Sequence, residues 1–257
     1  MSKRKRFVIT SIVLSLGFIA IQLFFDQYRF ISISVLGILT VALFVWSLRE
    51  GLGWDMTLVS LVLPLLFTLG VGLFWFLLPG NIFTRVPVVI IYGLGIYALC
   101  LTLNIYSVAA IRTIALLRAA RGVGFVLTLF TFFLVFDAIL SLKANLYVTS
   151  GVVALSSLPL FIQGFWSIPL EKTFSKKVFY FSSIASLAVG EIAASLHFWP
   201  VTIVVGSLFL TVACYILLGL GQAKLEGRLF SQTVREYLIM GALVFLGMFL
   251  ATSWSGL

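Results

Sequence analysis

Nine long apolar runs, separated by links too short to fold by themselves, leave this chain few options. The runs are roughly 18–23 residues long, which a helix needs to cross about 30 Å of hydrocarbon. The hydrocarbon holds no water to satisfy backbone N–H and C=O groups, so only helices or closed barrels can cross it. Barrel strands would alternate in polarity over about ten residues, and no such alternation is present. Composition agrees: 62% of residues are hydrophobic and 10% charged, against about 45–50% and about 25% in soluble domains.

The expected fold is therefore all-α, a polytopic transmembrane helix bundle forming one integral membrane domain over 1–257. Its spans are placed at 7–25, 30–48, 56–78, 88–110, 122–141, 146–168, 178–198, 201–221 and 236–254. Pro87 and Pro200 fall where a helix begins, a position that tolerates a missing N–H. Pro79 and Pro169 close the third and sixth spans, while Pro64 and Pro159 lie inside spans and predict kinks.

Basic residues orient the bundle. Of the 17 Lys and Arg, all but Arg29, Arg85 and Lys143 fall in alternate links on one side. Cytoplasmic links collect Lys and Arg, so the N-terminus (Lys3, Arg4, Lys5, Arg6) is expected in the cytoplasm and the C-terminus outside. Arg49, Arg112, Arg118, Arg121, Lys172, Lys176, Lys177, Lys224, Arg228 and Arg235 join the cytoplasmic set. All six tryptophans, at 46, 54, 75, 166, 199 and 254, lie near span ends, where an indole N–H reaches water. The net charge of +9 is spread along membrane edges, so its expected partner is the anionic head-group surface on the cytoplasmic side. No basic soluble domain is present to bind nucleic acid. Localisation follows as a multi-pass protein of the cell (cytoplasmic) membrane.

The N-terminal MSKRKR and the apolar run after it have the shape of a signal peptide. The run is long for that role and meets Phe-Phe-Asp-Gln-Tyr rather than a small-residue cleavage site, which predicts a retained signal anchor. Cys100 and Cys214 fall inside spans and read as small packing residues. With one histidine and no cysteine cluster, no metal or cofactor is expected. The link IRTIALLRAAR at 111–121 reads as a positive anchor, with a surface helix or an extension of span four as alternatives. Spans three and six share Leu-Pro-Leu and Phe-Trp in opposite directions, but their spacing differs (Pro64 to Phe74, Pro159 to Phe165), short of a clear inverted repeat.

Acidic residues are the scarce chemistry. Asp26, Glu50, Asp55, Glu171, Glu226 and Glu236 fall at membrane edges. Asp137 sits about one turn inside the external end of span five. Glu191 sits about two turns inside that of span seven, roughly 10 Å deep. A carboxylate at such depth is costly unless paired, hydrated or protonated. His197 lies at the external end of span seven, six residues from Glu191 and off its helix face. The candidate site is a polar cavity open to the outside, lined by Glu191, Asp137, His197 and Asn104, with Gln163, Arg85 or Lys143 in support. The bland alternative is that these groups bond across helices to Ser, Thr or Asn; Ser182, Ser183, Ser186 and Ser195 supply partners for span seven.

Gly-x-Ser-x-Gly, His-Glu-x-x-His and Walker signatures are absent, which argues against familiar enzyme classes. Three readings follow. The first is a small-molecule, ion or lipid transporter. The second is a non-catalytic subunit or assembly factor docked to a membrane-protein partner, for which Gly70, Gly72, Gly93, Gly95, Gly122 and Gly124 suit close helix packing. The third is a lipid-modifying enzyme using Asp137, Glu191 or His197. The segments LLPG at 77–80, NIYSVAAIRTIALLRAA at 104–120 and HFWP at 197–200 resemble polytopic bacterial membrane proteins of unknown function. That resemblance implies a bacterial cytoplasmic membrane and carries no activity.

Overall fold

A computed structural model describes residues 3–24, 28–48, 54–78, 82–109, 115–171 and 175–252. Among these residues the chain is all-α, with nine helices and no strand. They are α1 (Lys3–Phe24), α2 (Arg29–Leu48), α3 (Trp54–Trp75), α4 (Ile82–Ala109), α5 (Leu117–Ser141), α6 (Leu146–Trp166), α7 (Lys176–Leu196), α8 (Ile203–Leu225) and α9 (Ser231–Ala251). Eight, α2 to α9, are long and apolar enough to cross a membrane. The remaining helix, α1, opens on Lys3, Arg4, Lys5 and Arg6.

Several boundaries differ from the sequence expectation. Helix α4 begins at Ile82, so Pro87 lies inside it rather than at its start. A proline there forfeits one helical hydrogen bond, to Phe83, whose side chain is 93% exposed. Helix α8 starts at Ile203 behind a Thr202 cap, which leaves Pro200 in the link. Helix α5 starts at Leu117, so Arg118 and Arg121 belong to its opening turns rather than to a separate link. Pro64 and Pro159 do lie within α3 and α6. Asp26, Arg49, Glu50, Pro79, Gly80, Arg112, Lys172 and Trp254 lie outside the described residues, as do 111–114 and the expected span ends Phe25 and Ala110.

The chain forms two compact units, Met1–Thr131 with Leu170–Thr173, and Phe132–Pro169 with Phe174–Leu257. In the first, α1 packs on α2 and α4, α2 on α3 and α4, and α3 on α4. Its core holds Tyr92, stacked on Phe18 (ring centroids 5.0 Å) and on Phe67 (5.9 Å). A buried hydroxyl chain joins three helices. Thr40 donates to Leu36 O at 2.8 Å, Thr40 and Thr68 lie 3.1 Å apart, and Thr68 lies 3.2 Å from the Tyr92 hydroxyl. Since the Thr40 hydrogen goes to Leu36, the donors run Tyr92 to Thr68 to Thr40, and all three hydroxyls are bonded. At the end of α3, the Arg85 guanidinium lies over the Trp75 ring at 5.3 Å, a cation–π contact.

In the second unit, α6 and α7 share the most extensive face, α8 packs on both, and α9 packs on α8. The α6–α7 seam is built from small residues. Ser186 on α7 donates to Ala154 O on α6 at 2.6 Å. A Cβ at Gly190 would lie 2.9 Å from the Ala154 Cβ and 3.3 Å from Ser150 O. Close backbone approach of this kind replaces the hydrophobic drive that helices lack in lipid. Phenylalanines fill the rest: Phe132 meets Phe161 at 5.1 Å, and Phe161 meets Phe165 at 5.8 Å.

Candidate functional site

Four helix ends of the second unit meet around one cavity. Helix α5 ends at Ser141 and the chain turns through 142–145 into α6. Asn145 caps α6, its Oδ1 accepting from Val148 N–H at 3.0 Å. Helix α7 ends at Leu196, with His197 as its C-cap. The chain then turns through 198–202 into α8, where Thr202 Oγ1 accepts from Val205 N–H at 3.4 Å. Ser, Thr, Asn and Asp favour these starts because their side chains bond the orphan N–H groups of a first turn.

The cavity is about 280 Å³. Its polar lining is Lys143, Thr149, His197, Trp199 and Thr202; Leu140, Ala144, Ala193, Leu196, Val201, Ile203 and Gly206 complete it. No acidic residue is among the lining groups. Thr149 is buried, and its hydroxyl donates to Ala144 O at 3.2 Å. Thr202, having accepted from Val205, keeps its own hydrogen to donate.

One turn beneath lies a buried carboxyl. Asp137 is 4% exposed, and Ser207 donates to its Oδ1 at 3.2 Å across the α5–α8 interface. Ser207 also lies 3.0 Å from Val204 O, so its single hydrogen faces two acceptors. Leu140 and Gly206 form the floor above this pair: a Cβ at Gly206 would lie 3.3 Å from Leu140 Cδ1.

The candidates named from sequence are thus distributed unevenly. His197 and Lys143 line the cavity, and Asp137 lies under its floor. Glu191 is not in the lining; its side chain is exposed on α7, along the same stripe as Tyr180, Ile184 and Leu187. Of the serines offered to it, Ser182, Ser183 and Ser195 bond carbonyls of α7 itself, and Ser186 bonds Ala154. Gln163 is buried in α6, about 21 Å along the helix from Thr149 at 1.5 Å per residue. Asn104 is half-buried on α4 and, like Arg85, belongs to the first unit. Cys100 and Cys214 are buried free thiols. Among the described residues, no three His, Cys, Asp or Glu side chains gather as a metal-binding group. Thr149 and Thr202 escape a reading confined to ionisable groups; the signal for Thr202 was its place just after Pro200, where a helix cap belongs.

Residues 4–251, nearly the whole chain, match the family described as "Protein of unknown function (DUF5656)". The chain belongs to the DUF5656 family. No curated protein and no solved structure matches it. The DUF5656 match assigns no activity to this chain. What stands is a multi-pass helical membrane protein with a cavity of mixed polar and apolar lining where α5 to α8 meet.

Proposed function

We propose that this chain is a ligand-handling membrane protein, a transporter or carrier of a small molecule or lipid that works through the cavity at the meeting of α5 to α8. The observation that carries the reading is a largely apolar cavity that also includes Lys143, His197 and Thr202 in its lining, with a buried Asp137 carboxyl one turn below. Intramembrane ionisable groups are expensive, and those that persist commonly mark substrate or ion paths.

The proposal includes nine crossings with a cytoplasmic N-terminus, which puts the cavity at the outer face of the cytoplasmic membrane. Arg118 and Arg121 at the start of α5, Lys176 and Lys177 at the start of α7, and Lys224 at the end of α8 support it. All five lie at the helix ends away from the cavity, as the positive-inside rule requires. Single cysteines placed at Arg118 and Asn145 should label oppositely with an impermeant thiol reagent; equal labelling would overturn the orientation.

The functional test is native mass spectrometry of the full chain extracted in its own lipids. Ala144→Phe fills the cavity from a link position without entering a helix. The wild type should carry a small non-covalent adduct that this variant loses. An identical adduct profile in a folded variant would remove the cavity from the function. A second reading, a subunit docked to another membrane protein, rests on Glu191, exposed within an apolar helix face. A cationic group on a partner chain would satisfy it. A second polypeptide in the same spectrum, lost in Glu191→Gln, would favour that reading.

A further inference from the structure

We infer that the ligand of this cavity presents a phosphate oxyanion, as a lipid head group or as a free phosphate, and that Lys143 is the residue that selects it. The inference rests on the ligand-handling reading above and adds the ligand class.

Four helix ends meet at the cavity: the starts of α6 and α8, which are partially positive, and the ends of α5 and α7, which are partially negative. They offset one another in pairs, so the side chains decide the sign. Lys143, His197 and Thr202 are among the lining residues, and no acidic residue is. Asp137 lies outside the lining, beneath Leu140 and Gly206, with Ser207 donating to it. Lysine acts on phosphate as a point charge with three donors. At about 280 Å³ the cavity is at the small end of ligand pockets, the size of a head group or small solute.

The backbone supplies the second argument. Lys143 has φ 48, in the left-handed region. This is the position after a helix end, where glycine is cheapest. The chain uses glycine in that way at the end of α8, where Gly227 has φ 70. The other non-glycine exception among the described residues, Leu170, also at φ 48, buries an apolar side chain to 7% exposure. Lys143 is exposed and gains no such burial. A strained backbone with no packing return points to a role for the side chain itself, and Lys143 is one of the residues that line the cavity.

The test uses the full chain in an uncharged detergent with three probes: inorganic phosphate, dioctanoyl phosphatidylglycerol and dioctanoylglycerol. Binding is read by native mass spectrometry and by thermal shift. Phosphatidylglycerol or phosphate should bind in preference to the neutral lipid, the first identifying a head-group site and the second a solute site. Lys143→Gly should weaken that binding about tenfold, the scale of one charge-assisted hydrogen bond. The same variant relieves the left-handed backbone, so its melting temperature without ligand should rise. Weakened binding in a more stable protein cannot be unfolding. Lys143→Arg, which keeps the charge, should retain binding. Equal uptake of dioctanoylglycerol, unchanged by Lys143→Gly, would overturn the phosphate inference and leave the ligand-handling reading in place. Binding of none of the three, with no native adduct in the wild type, would overturn both.

Discussion

Adding a single methyl group at Gly190 should reverse its effect according to what stands opposite it. Gly190→Ala places a Cβ 2.9 Å from the Ala154 Cβ and 3.3 Å from Ser150 O. Neither neighbour is the free tip of a flexible side chain, so α6 and α7 must separate. Overpacking of this kind costs about 1–3 kcal/mol. Against it, alanine gains roughly 1 kcal/mol over glycine in helix propensity. The expected net is a loss of about 0–2 kcal/mol, with weakening of the 2.6 Å Ser186–Ala154 bond on top. In an Ala154→Gly background the methyl–methyl clash disappears. Only the milder approach to Ser150 O remains, and the same Gly190→Ala change should stabilise by up to about 1 kcal/mol. The coupling energy of the cycle should thus be about 1–3 kcal/mol, above the roughly 0.3–0.5 kcal/mol scatter of independent sites. Reversible unfolding in mixed micelles, followed by circular dichroism, measures all four proteins. A coupling of zero, with Gly190→Ala stabilising both backgrounds equally, would falsify the close-packed seam.

Two further changes probe the cavity and its floor. The Ser207 hydroxyl has one hydrogen and two acceptors, Asp137 Oδ1 at 3.2 Å and Val204 O at 3.0 Å. Asp137→Asn introduces an amide that can donate to Ser207, leaving the hydroxyl hydrogen to Val204; stability should hold or rise by about 0.5 kcal/mol in the same unfolding assay. A loss above about 1.5 kcal/mol would mean that the carboxyl makes a stronger bond than this geometry supports. Asn145→Ala removes the acceptor for Val148 N–H at the start of α6 and should cost about 1 kcal/mol, with faster amide exchange confined to the first turn. Unchanged exchange there would refute the cap.

The fold was legible because hydrocarbon thickness dictates length, and apolar runs long enough to cross it stand out. Helix ends were less legible: α4, α5 and α9 all start earlier than the apolar run, since polar residues at a membrane edge continue a helix without cost. The residues around the cavity were legible only in part. Scarcity of charge picked out Asp137, His197 and Lys143, which do gather at one end of the second unit. It also picked out Glu191, because depth can be counted from sequence while the direction a side chain faces cannot. In water an apolar stripe marks the buried face of a helix. In lipid both faces are apolar, and that signal fades. A different one was present in α7: Ser182, Ser186 and Gly190 recur at four-residue spacing and are all buried, whereas Tyr180, Ile184, Leu187 and Glu191 follow a neighbouring stripe and are all exposed. Small residues at four-residue spacing mark the packed face of a membrane helix. By that rule Glu191 turns away from the seam.

The vertical order of groups in the second unit constrains how the site can work. Lys143, His197 and Thr202 meet whatever enters the cavity, and Asp137 does not, because Leu140 and Gly206 intervene. An anion can therefore be held at the level of Lys143 without facing a carboxylate. A cation or proton relay through Asp137, the role that depth alone suggests, would require that floor to part. Gly206 packs closely on Leu140 there: a Cβ added to it would lie 3.3 Å from Leu140 Cδ1. Binding in the cavity would be the first step; passage beyond it would meet the Asp137–Ser207 bond between α5 and α8 as a second. A carrier that only captures a head group would use the first step alone; a transporter would need both.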